Sequence, residues 1–578
     1  MPVGRSLGVR PAVRRLGTAA TRPLLGPQVL RRPWAVPVWA RLLGSPLVPQ
    51  AQRAATARTV AGELQALGRP GDAATVLERA AATVTAPLPR AELALAAAQQ
   101  RLDLGEPAPG LAGAVQQALA QADRVLAAGR PKEAAELLTR AAAVTFHRAL
   151  HFDGPSSPLA ADPAEYLAAW HASACYARLT APAGRSDDAP SPGPVDRPRR
   201  LLFVTFKNWN FLEPLAAHYE ERARTAGDVE VRRLDLAAVA PGRLPLSPLQ
   251  QIRARLTGTL PPAVAEVVAP EVAWADTVFV DWCQRAAVLV TALDPGSARV
   301  VVRLHSFEAF TVFPHLVDPS RVDDFVVVGS HIGRLAAEVV PGLAGGGPGA
   351  PAVTALPNVL DLGPFDLPKD DDARLTLAVV GYAAAAKDAL WAVDVLAELR
   401  RTDPRYRLLL VGHDVPDEPD TPASVRAYGR ALAERTARDD VAGAVERVPF
   451  TRDVPQLLRR VGVLVSSSVR ESFHQAVVEG AASRAVPVVR RWPLLARYGG
   501  PGELFPADWL VDSPAQAAAR VLATTGDAAR WRAEGEAARR QVLETVDFAA
   551  VRHRYDDLLL APRAGRTGNH TEDRQEVS

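Results

Sequence analysis

The sequence predicts an α/β fold in which two doubly wound, Rossmann-like parallel-sheet domains face a cleft and follow an all-α domain of helical hairpins. Three observations lead to this prediction. Apolar segments alternate with amphipathic helices from residue 200 onward, a charged break at 364–374 divides these segments into two sets, and an Ala-rich repeat precedes them. Continuous apolar strands interleaved with helices are typical of parallel sheets covered on both faces.

Length and composition set the class of protein. A chain of 578 residues is long enough for about three domains, and its 48% hydrophobic and 23% charged residues are typical of a globular protein with an ample core. The net charge of +3 is too small to indicate nucleic-acid binding. Two cysteines cannot form a disulfide framework or a thiolate metal site. We therefore expect a cytoplasmic protein, and the scarcity of lysine (four of 67 basic residues) indicates a high-GC bacterial source.

The first residues of the chain are basic. Residues 1–62 contain ten arginines and no acidic residue. This pattern favours a disordered arm over residues 1–57 that makes peripheral contact with anionic lipid at the inner face of the plasma membrane. The alternative is a start codon placed too early. The polar residues 563–578 are expected to form a disordered tail.

An internal repeat predicts the helical domain, residues 58–180. The segment LGRPGDAATVLERA (67–80) aligns with AGRPKEAAELLTRA (128–141), and a weaker third copy turns at residues 105–107. Each copy reads as a helix, a Gly/Pro turn and an Ala-rich helix, which resembles tetratricopeptide hairpins. Such a domain is either a helical cap or a docking surface for a protein partner. A Pro/Gly-rich linker, 181–199, follows it.

Two sets of strands follow the linker. The predicted strands of the N-terminal domain (200–365) are 201–206, 276–282, 298–306, 324–330 and 352–358. Those of the C-terminal domain (366–530) are 375–382, 405–413, 444–450, 461–467 and 486–492. Ligands of doubly wound domains bind at the C-terminal ends of such strands. We expect helices within 531–562 to cross back onto the first domain.

The segment VRESFHQAVVEGAASRAVPVV (469–489) carries two glutamates, Glu471 and Glu479, eight positions apart. Ser472 and Gln475 have the spacing of a capping box, which predicts that a helix begins at Ser472. Glu471 would then lie at the mouth of this helix, where unpaired backbone N–H groups favour anions. A helix with two solvated glutamates is the alternative interpretation.

The segment resembles the Glu-x7-Glu motif of retaining glycosyltransferases of family 4, which have the GT-B fold. The residues in register are Glu471, Phe473, Glu479, Ala481, Pro487 and Val488, whereas Ser472, His474 and Ser483–Arg484 depart from the family pattern. The resemblance extends over residues 200–560. It implies a retaining hexosyltransferase that moves a sugar from a nucleotide-sugar donor to a hydroxyl of a glycan, lipid-linked or envelope polysaccharide acceptor.

The resemblance also implies a donor site in the second domain. Gly381 and Lys387 match the residues that hold the donor diphosphate, although Tyr382 replaces the usual arginine. Glu471 would bind sugar hydroxyls and Glu479 the ribose. Phe450 and Thr451 lie in the loop expected to contact the base, and Phe473, His474 and Gln475 complete the predicted helix mouth.

The first domain supplies the remaining candidates. His305 ends a predicted strand and, by the resemblance, contacts the donor sugar as a catalytic residue together with Glu471. The loop after the first strand offers a cation, two amides and a ring for the acceptor or the donor phosphate: Lys207, Asn208, Trp209 and Asn210. The segment 281–285 is expected to line the same cleft, with Trp282 and Cys283 in packing roles.

No cofactor and no metal are expected, because the acidic run 370–372 lies in the interdomain break without a strand before it. Two other functions remain open. The same fold serves nucleotide-sugar 2-epimerases, and the lost arginine and glycines are compatible with a degenerate transferase that acts as a docking protein.

Overall fold

The computed structural model describes residues 27–32, 34–43, 50–186, 197–343 and 350–563. These residues form two compact units. The first unit contains the described residues up to Ala149 together with Ala169–Tyr176 and Pro422–Ser424, and the second contains the others. None of the helices described is long and apolar enough to cross a membrane.

The first unit is helical. Its helices are Pro27–Leu30, Ala35–Leu43, Gln50–Ala66, Pro70–Thr83, Pro87–Asp103, Leu111–Ala127 and Pro131–Thr145. Gly68 and Gly129 adopt the left-handed conformation, with φ of 71° and 74°, at matching turns of the repeat. Each turn is followed by a proline at the first position of a helix, where the missing N–H costs nothing. The two copies of the sequence repeat therefore form turns of the same geometry, each followed by a helix.

The predicted disordered arm is wrong for part of its length. The helix Ala35–Leu43 places Trp39 and Leu43 in a buried cluster with Leu64 and Val76, because it has an apolar face that the neighbouring helices cover. Residues 1–26, 33 and 44–49 of the arm lie outside the described residues, as do 187–196 of the linker and 564–578 of the tail.

The second unit contains two six-stranded parallel sheets. The first sheet consists of β1 (Arg199–Thr205), β2 (Val229–Asp235), β3 (Thr277–Asp281), β4 (Arg299–Leu304), β5 (Asp324–Val327) and β6 (Ala352–Ala355). The second consists of β7 (Thr376–Val380), β8 (Arg407–Val411), β9 (Val445–Val448), β10 (Val463–Ser466), β11 (Val486–Arg490) and β12 (Leu510–Val511). Ten of these strands lie within the predicted segments or within two residues of them, whereas β2 and β12 were not predicted.

Helices lie between the strands of both sheets and on either side of them in the chain. Four short helices precede β1: Pro158–Ala161, Pro163–Tyr166, Ala168–His171 and Ala174–Thr180, of which residues 169–176 belong to the first unit. Between β1 and β6 lie Glu213–Thr225, Pro248–Thr257, Ala269–Trp274, Arg285–Ala292, Ser306–Ala309 and Ser330–Val339, with a π-helical turn at Val264–Val268. Between β7 and β12 lie Ala389–Arg400, Ala423–Thr436, Val454–Leu458 and Gln475–Ala482, and after β12 come Pro514–Thr525, Ala528–Thr545 and Phe548–Leu559. Their apolar faces cover the buried strands, as in other doubly wound domains.

The order of the strands locates the crevices of the two sheets. The first sheet has the order β2-β1-β3-β4-β5-β6, so the direction of winding reverses between β1 and β3. The second has the order β12-β11-β10-β7-β8-β9 and reverses between β7 and β10. Loops that leave the two central strands of such a sheet diverge to opposite faces and leave a crevice at the C-terminal ends. The loops after β1, β3, β7 and β10 are therefore where ligands are expected.

The last helix packs on the first sheet. Val551, Tyr555 and Leu559 of the helix Phe548–Leu559 join the buried cluster around Leu201 and Phe203 of β1. The Tyr555 hydroxyl donates a hydrogen bond of 2.7 Å to the carbonyl of Pro357. The C-terminal helix therefore belongs to the buried core beneath the first sheet.

Candidate active site

The loop after β7 brings Lys387 to the crevice of the second sheet. Gly381 follows the strand with φ of 80°, and a Cβ on Gly412, at the end of β8, would lie 3.6 Å from its Cα. The backbone at this point is therefore bare enough for close approach by a ligand. The chain then makes a 3₁₀ turn that ends at Lys387, and the helix Ala389–Arg400 begins after Asp388.

Lys387 and Glu471 meet at this crevice. The Lys387 ammonium lies 2.6 Å from Oε1 of Glu471, which also accepts a hydrogen bond of 2.7 Å from the Ser468 hydroxyl. Two hydrogen bonds to backbone carbonyls hold the loops together. Ser467 Oγ donates to the carbonyl of Lys387 (2.6 Å), and the N–H of Val469 donates to the carbonyl of Ala386 (2.9 Å). The loops after β7 and β10 thus form one rigid support for the charged pair.

The charge of Glu471 is stabilised in spite of its burial. Burial alone raises the pKa of this carboxyl, but the Lys387 ammonium, the nearby His474 and the Ser468 hydroxyl outweigh it and lower the pKa to about 2. Glu471 is therefore ionised at neutral pH. An ionised carboxylate can accept hydrogen bonds from sugar hydroxyls, and two of the three ammonium protons of Lys387 are not needed for Glu471.

The predicted start of the following helix is wrong. The helix begins at Gln475 rather than Ser472, and its N-cap residue is His474, which has φ of 58°. Ser472 does not form a capping box, because its hydroxyl instead accepts a hydrogen bond from the N–H of Ser306 in the first domain (2.9 Å). The competing partner comes from a distant part of the chain, which no local spacing rule includes.

The side chains near the helix start differ in exposure. Phe473 is buried, and His474 is buried with its Nδ1 hydrogen bonded to Ser466 Oγ (2.8 Å) and its Nε2 3.9 Å from Glu471. Gln475 donates from Nε2 to Glu479 Oε1 at 2.6 Å. Phe473 therefore supports the loop, whereas Gln475 and Glu479 are half-buried and share one side of the helix.

Glu479 lies in the second turn of the helix. Burial raises its pKa, and the hydrogen bond from Gln475 opposes this effect. The next residue, Gly480, lets the helix approach β10, since a Cβ there would lie 2.7 Å from Leu464 Cδ2. The close approach fixes the position of Glu479 over the sheet.

The first domain contacts the Glu471 loop directly. Ser306 and Ser472 are hydrogen bonded through their hydroxyls (2.5 Å), and His331 Nε2 donates to the carbonyl of Glu471 (3.0 Å). The sequence analysis missed Ser306, His331 and Ser468. A run of three serines directly after a buried strand (466–468) is the signal that would have indicated the last of them.

His305 directly follows β4, precedes Ser306 and is buried. Its ring contacts those of Trp282 and Phe211, with centroid distances of 4.3 and 5.2 Å. Its Nε2 is 3.5 Å from Oδ1 of Asp281, which forms a two-point ion pair with Arg303 (2.7 and 2.8 Å). Burial lowers the pKa of His305 in spite of Asp281, so the imidazole is neutral at pH 7.

The loop after β1 is held by Asp235. Its carboxylate accepts hydrogen bonds from the N–H of Lys207 (3.0 Å) and the indole of Trp209 (3.2 Å). Lys207 has φ of 69° and an exposed side chain, and Asn208 uses its Oδ1 to accept from the N–H of Asn210. Trp209 thus anchors the loop, whereas Lys207 and Asn210 are accessible at the end of β1.

The residues predicted to contact the base lie near the ends of β8 and β9. Phe450 is 58% exposed and stacks on His413 with a centroid distance of 4.9 Å and an interplanar angle of 6°. The Thr451 hydroxyl instead accepts from the N–H of Asp453. Tyr382, which stands where the family has arginine, donates to Asp414, and Asp414 also pairs with Arg447 at 2.7 Å.

No group of three or more His, Cys, Asp or Glu side chains is placed to hold a metal ion in the described parts of the chain. The side chains described at the site are cations, carboxylates, amides and aromatic rings. Such a set binds anions and hydroxyls.

Comparison with known proteins agrees with this chemistry. Residues 374–524 match the family of glycosyl transferases group 1. This segment is similar to a glycosyltransferase domain. The matched segment contains Lys387, Glu471 and Glu479, whereas His305 lies outside it. The second sheet belongs almost entirely to this domain, and the two-sheet GT-B fold class predicted from the sequence is confirmed.

Several solved structures are similar to the chain. HepE of Anabaena in complex with UDP and glucose has 15% identity, covers 63% of this chain and 99% of its own, and has a TM-score of 0.46. A glycosyltransferase from Rickettsia africae has 12% identity, coverages of 63% and 99% and a TM-score of 0.45. Sucrose-phosphate synthase from Thermosynechococcus elongatus has 15% identity, coverages of 62% and 98% and a TM-score of 0.42. No curated protein matches the sequence.

The two buried histidines beside Glu471 predict a pH dependence of stability. Burial lowers the pKa of His331 and of His474 from 6.5 to about 4. The unfolded chain then binds these protons more tightly, so stability is complete above pH 6.5 and falls as the pH drops toward 4. The expected loss at pH 5 is about 2 kcal/mol for each histidine.

Urea denaturation at pH 7 and pH 5 measures this loss. The His331→Gln and His474→Gln variants should each reduce the difference in midpoint between the two pH values. If the double variant keeps the full wild-type difference, these histidines do not cause it.

Proposed function

We propose that the chain is a retaining hexosyltransferase that moves a sugar from a nucleotide-sugar donor to a hydroxyl of a glycan or envelope polysaccharide. The observation that carries the proposal is the meeting of Lys387 and Glu471 at the crevice of the second sheet, against the loop that carries His305. Retention rests on the resemblance of the Glu471–Glu479 segment to the Glu-x7-Glu motif.

The proposed roles follow from the charges of the site. Cleavage of the bond between sugar and diphosphate places positive charge on the anomeric carbon and negative charge on the leaving diphosphate. Lys387 and the bare backbone at Gly381 would bind the diphosphate, and Lys387 would stabilise its growing charge. Glu471, which is ionised, would accept hydrogen bonds from the sugar hydroxyls, and Glu479 those of the ribose.

The first domain would complete the reaction. A neutral His305 can hydrogen bond to the donor sugar without adding positive charge beside the developing cation. The acceptor hydroxyl would attack from the face of the leaving group, and a diphosphate oxygen would take its proton. Closure of the two domains would exclude water, which otherwise hydrolyses the donor.

Donor binding provides the first test. Thermal shift with a panel of nucleoside diphosphates and their sugars should show stabilisation by at least one of them, since a ligand that binds only the folded state raises its stability. Turnover of that donor only when a glycan is present supports transfer, and turnover without acceptor to an epimeric sugar supports an epimerase. The absence of any stabilisation would support the degenerate docking protein, for which the replacement of the family arginine by Tyr382 is the favouring observation.

The ribose role of Glu479 gives a second prediction. Glu479→Ala should raise the donor dissociation constant by about tenfold or more, because a hydrogen bond to a charged group contributes about 1.5–3 kcal/mol. Stability should change little, since the partner left behind is the neutral amide of Gln475. Isothermal titration with the stabilising nucleotide sugar measures the constant, and the exposed Glu434→Ala is the control. An unchanged constant removes Glu479 from this role.

We further propose that the reaction needs no metal and no cofactor, so that EDTA should leave the rate unchanged. Peripheral contact of the basic arm with anionic membrane and a protein partner for the helical unit are also proposals. Co-sedimentation of the full chain with vesicles containing anionic lipid tests the first of these two.

A further inference from the structure

A second crevice lies in the first sheet, at the point where its winding reverses. A cavity of about 330 Å³ opens between the loops after β1 and β3. Its lining residues are Phe206, Asn208, Asp281, Trp282, Gln284, Ala286 and Phe307. The position matches the place where a doubly wound sheet binds its ligand, and it is separate from the Lys387–Glu471 crevice of the second sheet.

Trp282 is held in this cavity under strain. Its φ is 67°, a conformation that is unfavourable for a bulky residue and costs about 1–3 kcal/mol. The turn is stabilised by a hydrogen bond of 2.7 Å from the N–H of Gln284 to the carbonyl of Trp282. The indole Nε1 is buried and has no hydrogen-bond partner among the described residues. Packing alone does not explain a residue whose backbone is strained and whose indole N–H has no acceptor.

The same strained turn places the indole against His305, with a centroid distance of 4.3 Å. A ligand in the cavity would therefore lie beside the residue proposed to contact the donor sugar. Phe307, two residues after His305, forms another wall of the cavity and is 45% exposed. Its ring is 4.7 Å from that of Phe152, which helps to fix its orientation.

We propose that this cavity binds the terminal ring of an uncharged sugar acceptor, with Trp282 and Phe307 as residues that determine acceptor specificity. This inference rests on the proposed function, because it names the substrate class of the second reactant. The indole N–H would donate to a ring hydroxyl, and the ring faces of Trp282 and Phe307 would pack against the apolar face of the sugar.

The chemistry of the residues that line the cavity favours an uncharged sugar. Phe206, Trp282 and Phe307 supply aromatic surface, and Asn208 and Gln284 supply amides that can donate to and accept from hydroxyls. The carboxylate of Asp281 is paired with Arg303, so the lining residues themselves carry no unpaired charge. A volume near the lower limit of about 300–1,000 Å³ for small-molecule pockets suits one ring rather than an oligosaccharide.

Binding of simple glycosides to the full chain tests the proposal. Saturation-transfer NMR with uncharged methyl hexopyranosides should detect binding to the wild-type protein, and methyl glucuronide should bind more weakly. Trp282→Phe keeps an aromatic ring against His305 but removes the indole donor, and we expect the dissociation constant to rise about threefold to tenfold. Phe307→Ala should raise it by a similar factor.

Two controls separate the possible outcomes. Phe307 is exposed, so Phe307→Ala should fold normally, and Trp34→Ala, which removes a 54% exposed ring of the helical unit, should bind the glycosides as the wild type does. Absence of glycoside binding, or equal binding by all variants, overturns this inference. The thermal shift caused by nucleotide sugars is measured on the wild type and on the same variants. If the wild type shows no such shift, the proposed function is overturned instead. If Trp282→Phe and Phe307→Ala keep the wild-type shift, their defect lies in binding of the acceptor.

Discussion

Replacement of Lys387 by methionine is expected to lower kcat by about 10²–10³, because a preorganised charge at the leaving group is typically worth that factor. The ammonium lies 2.6 Å from Glu471, so the same change also leaves a mostly buried carboxylate without its cation. We expect a loss of about 1–3 kcal/mol in the free energy of unfolding, and a higher pKa for Glu471. Steady-state kinetics and urea denaturation measure the two effects.

A double variant separates catalysis from stability in this prediction. Lys387→Met combined with Glu471→Gln removes both charges, so stability should return toward the wild-type value while activity stays lost. Lys132→Met, on a helix of the first unit, is the control for the loss of one lysine. A Lys387→Met protein with wild-type kcat would contradict the assignment of this residue to the leaving group.

The buried ion pair beneath His305 carries the second large expected effect. Both side chains of the Asp281–Arg303 pair are fully buried, and Arg303 also donates to the carbonyl of Phe211 at 2.8 Å. Asp281→Asn leaves the Arg303 charge without its counterion, which typically costs about 3–5 kcal/mol. We expect a corresponding fall in the urea midpoint of the transition that reports the first sheet.

A nearby pair is the matched control. Asp276, just before β3, pairs with Arg197 at 2.7 Å, but both side chains are partly exposed. Asp276→Asn should therefore cost about 1 kcal/mol or less. If the two aspartate variants lose equal stability, burial does not determine the strength of these pairs.

Acid provides a further measurement for the same pair. Burial raises the pKa of Asp281, but the Arg303 charge and hydrogen bonds outweigh it and lower the pKa well below its usual value. Stability from this group is complete above the unfolded pKa and falls as the pH drops through the folded one. The Asp281→Asn variant should therefore lose less stability than the wild type between pH 4 and pH 2.

Several residues of the site were predictable because their positions depend on local sequence. Lys387, Glu471 and His305 follow continuous apolar strands, and the C-terminal ends of such strands meet at one edge of a sheet. The turns at Gly68 and Gly129 were predictable for the same reason, since the Gly-x-Pro pattern specifies them. The strand β2 was missed because it is an edge strand whose polar residues, including Arg232 and Arg233, contact solvent.

The residues that the sequence analysis misjudged have partners far away in the chain. Ser472 has the spacing of a cap, yet it bonds Ser306, which lies 166 residues away. The sequence analysis assigned Trp282 a packing role. In the structure it lies in a strained turn, its indole N–H has no partner among the described residues, and it lines a cavity. Asp281 carried no signal because its pairing with Arg303 depends on the register between β3 and β4.

The sequence by itself determined the two sheets, the helical repeat and the strand ends at which charged and polar residues collect, because apolar periodicity and turn residues act over a few positions. Only the tertiary structure decided which of those strand ends adjoin. The order of strands brings Lys387 to Glu471 and His305 to Trp282, and the contact between the two domains brings Ser306 to Ser472. These neighbours are selected by the burial of whole helices and strands, which depends on the complete chain rather than on any local segment.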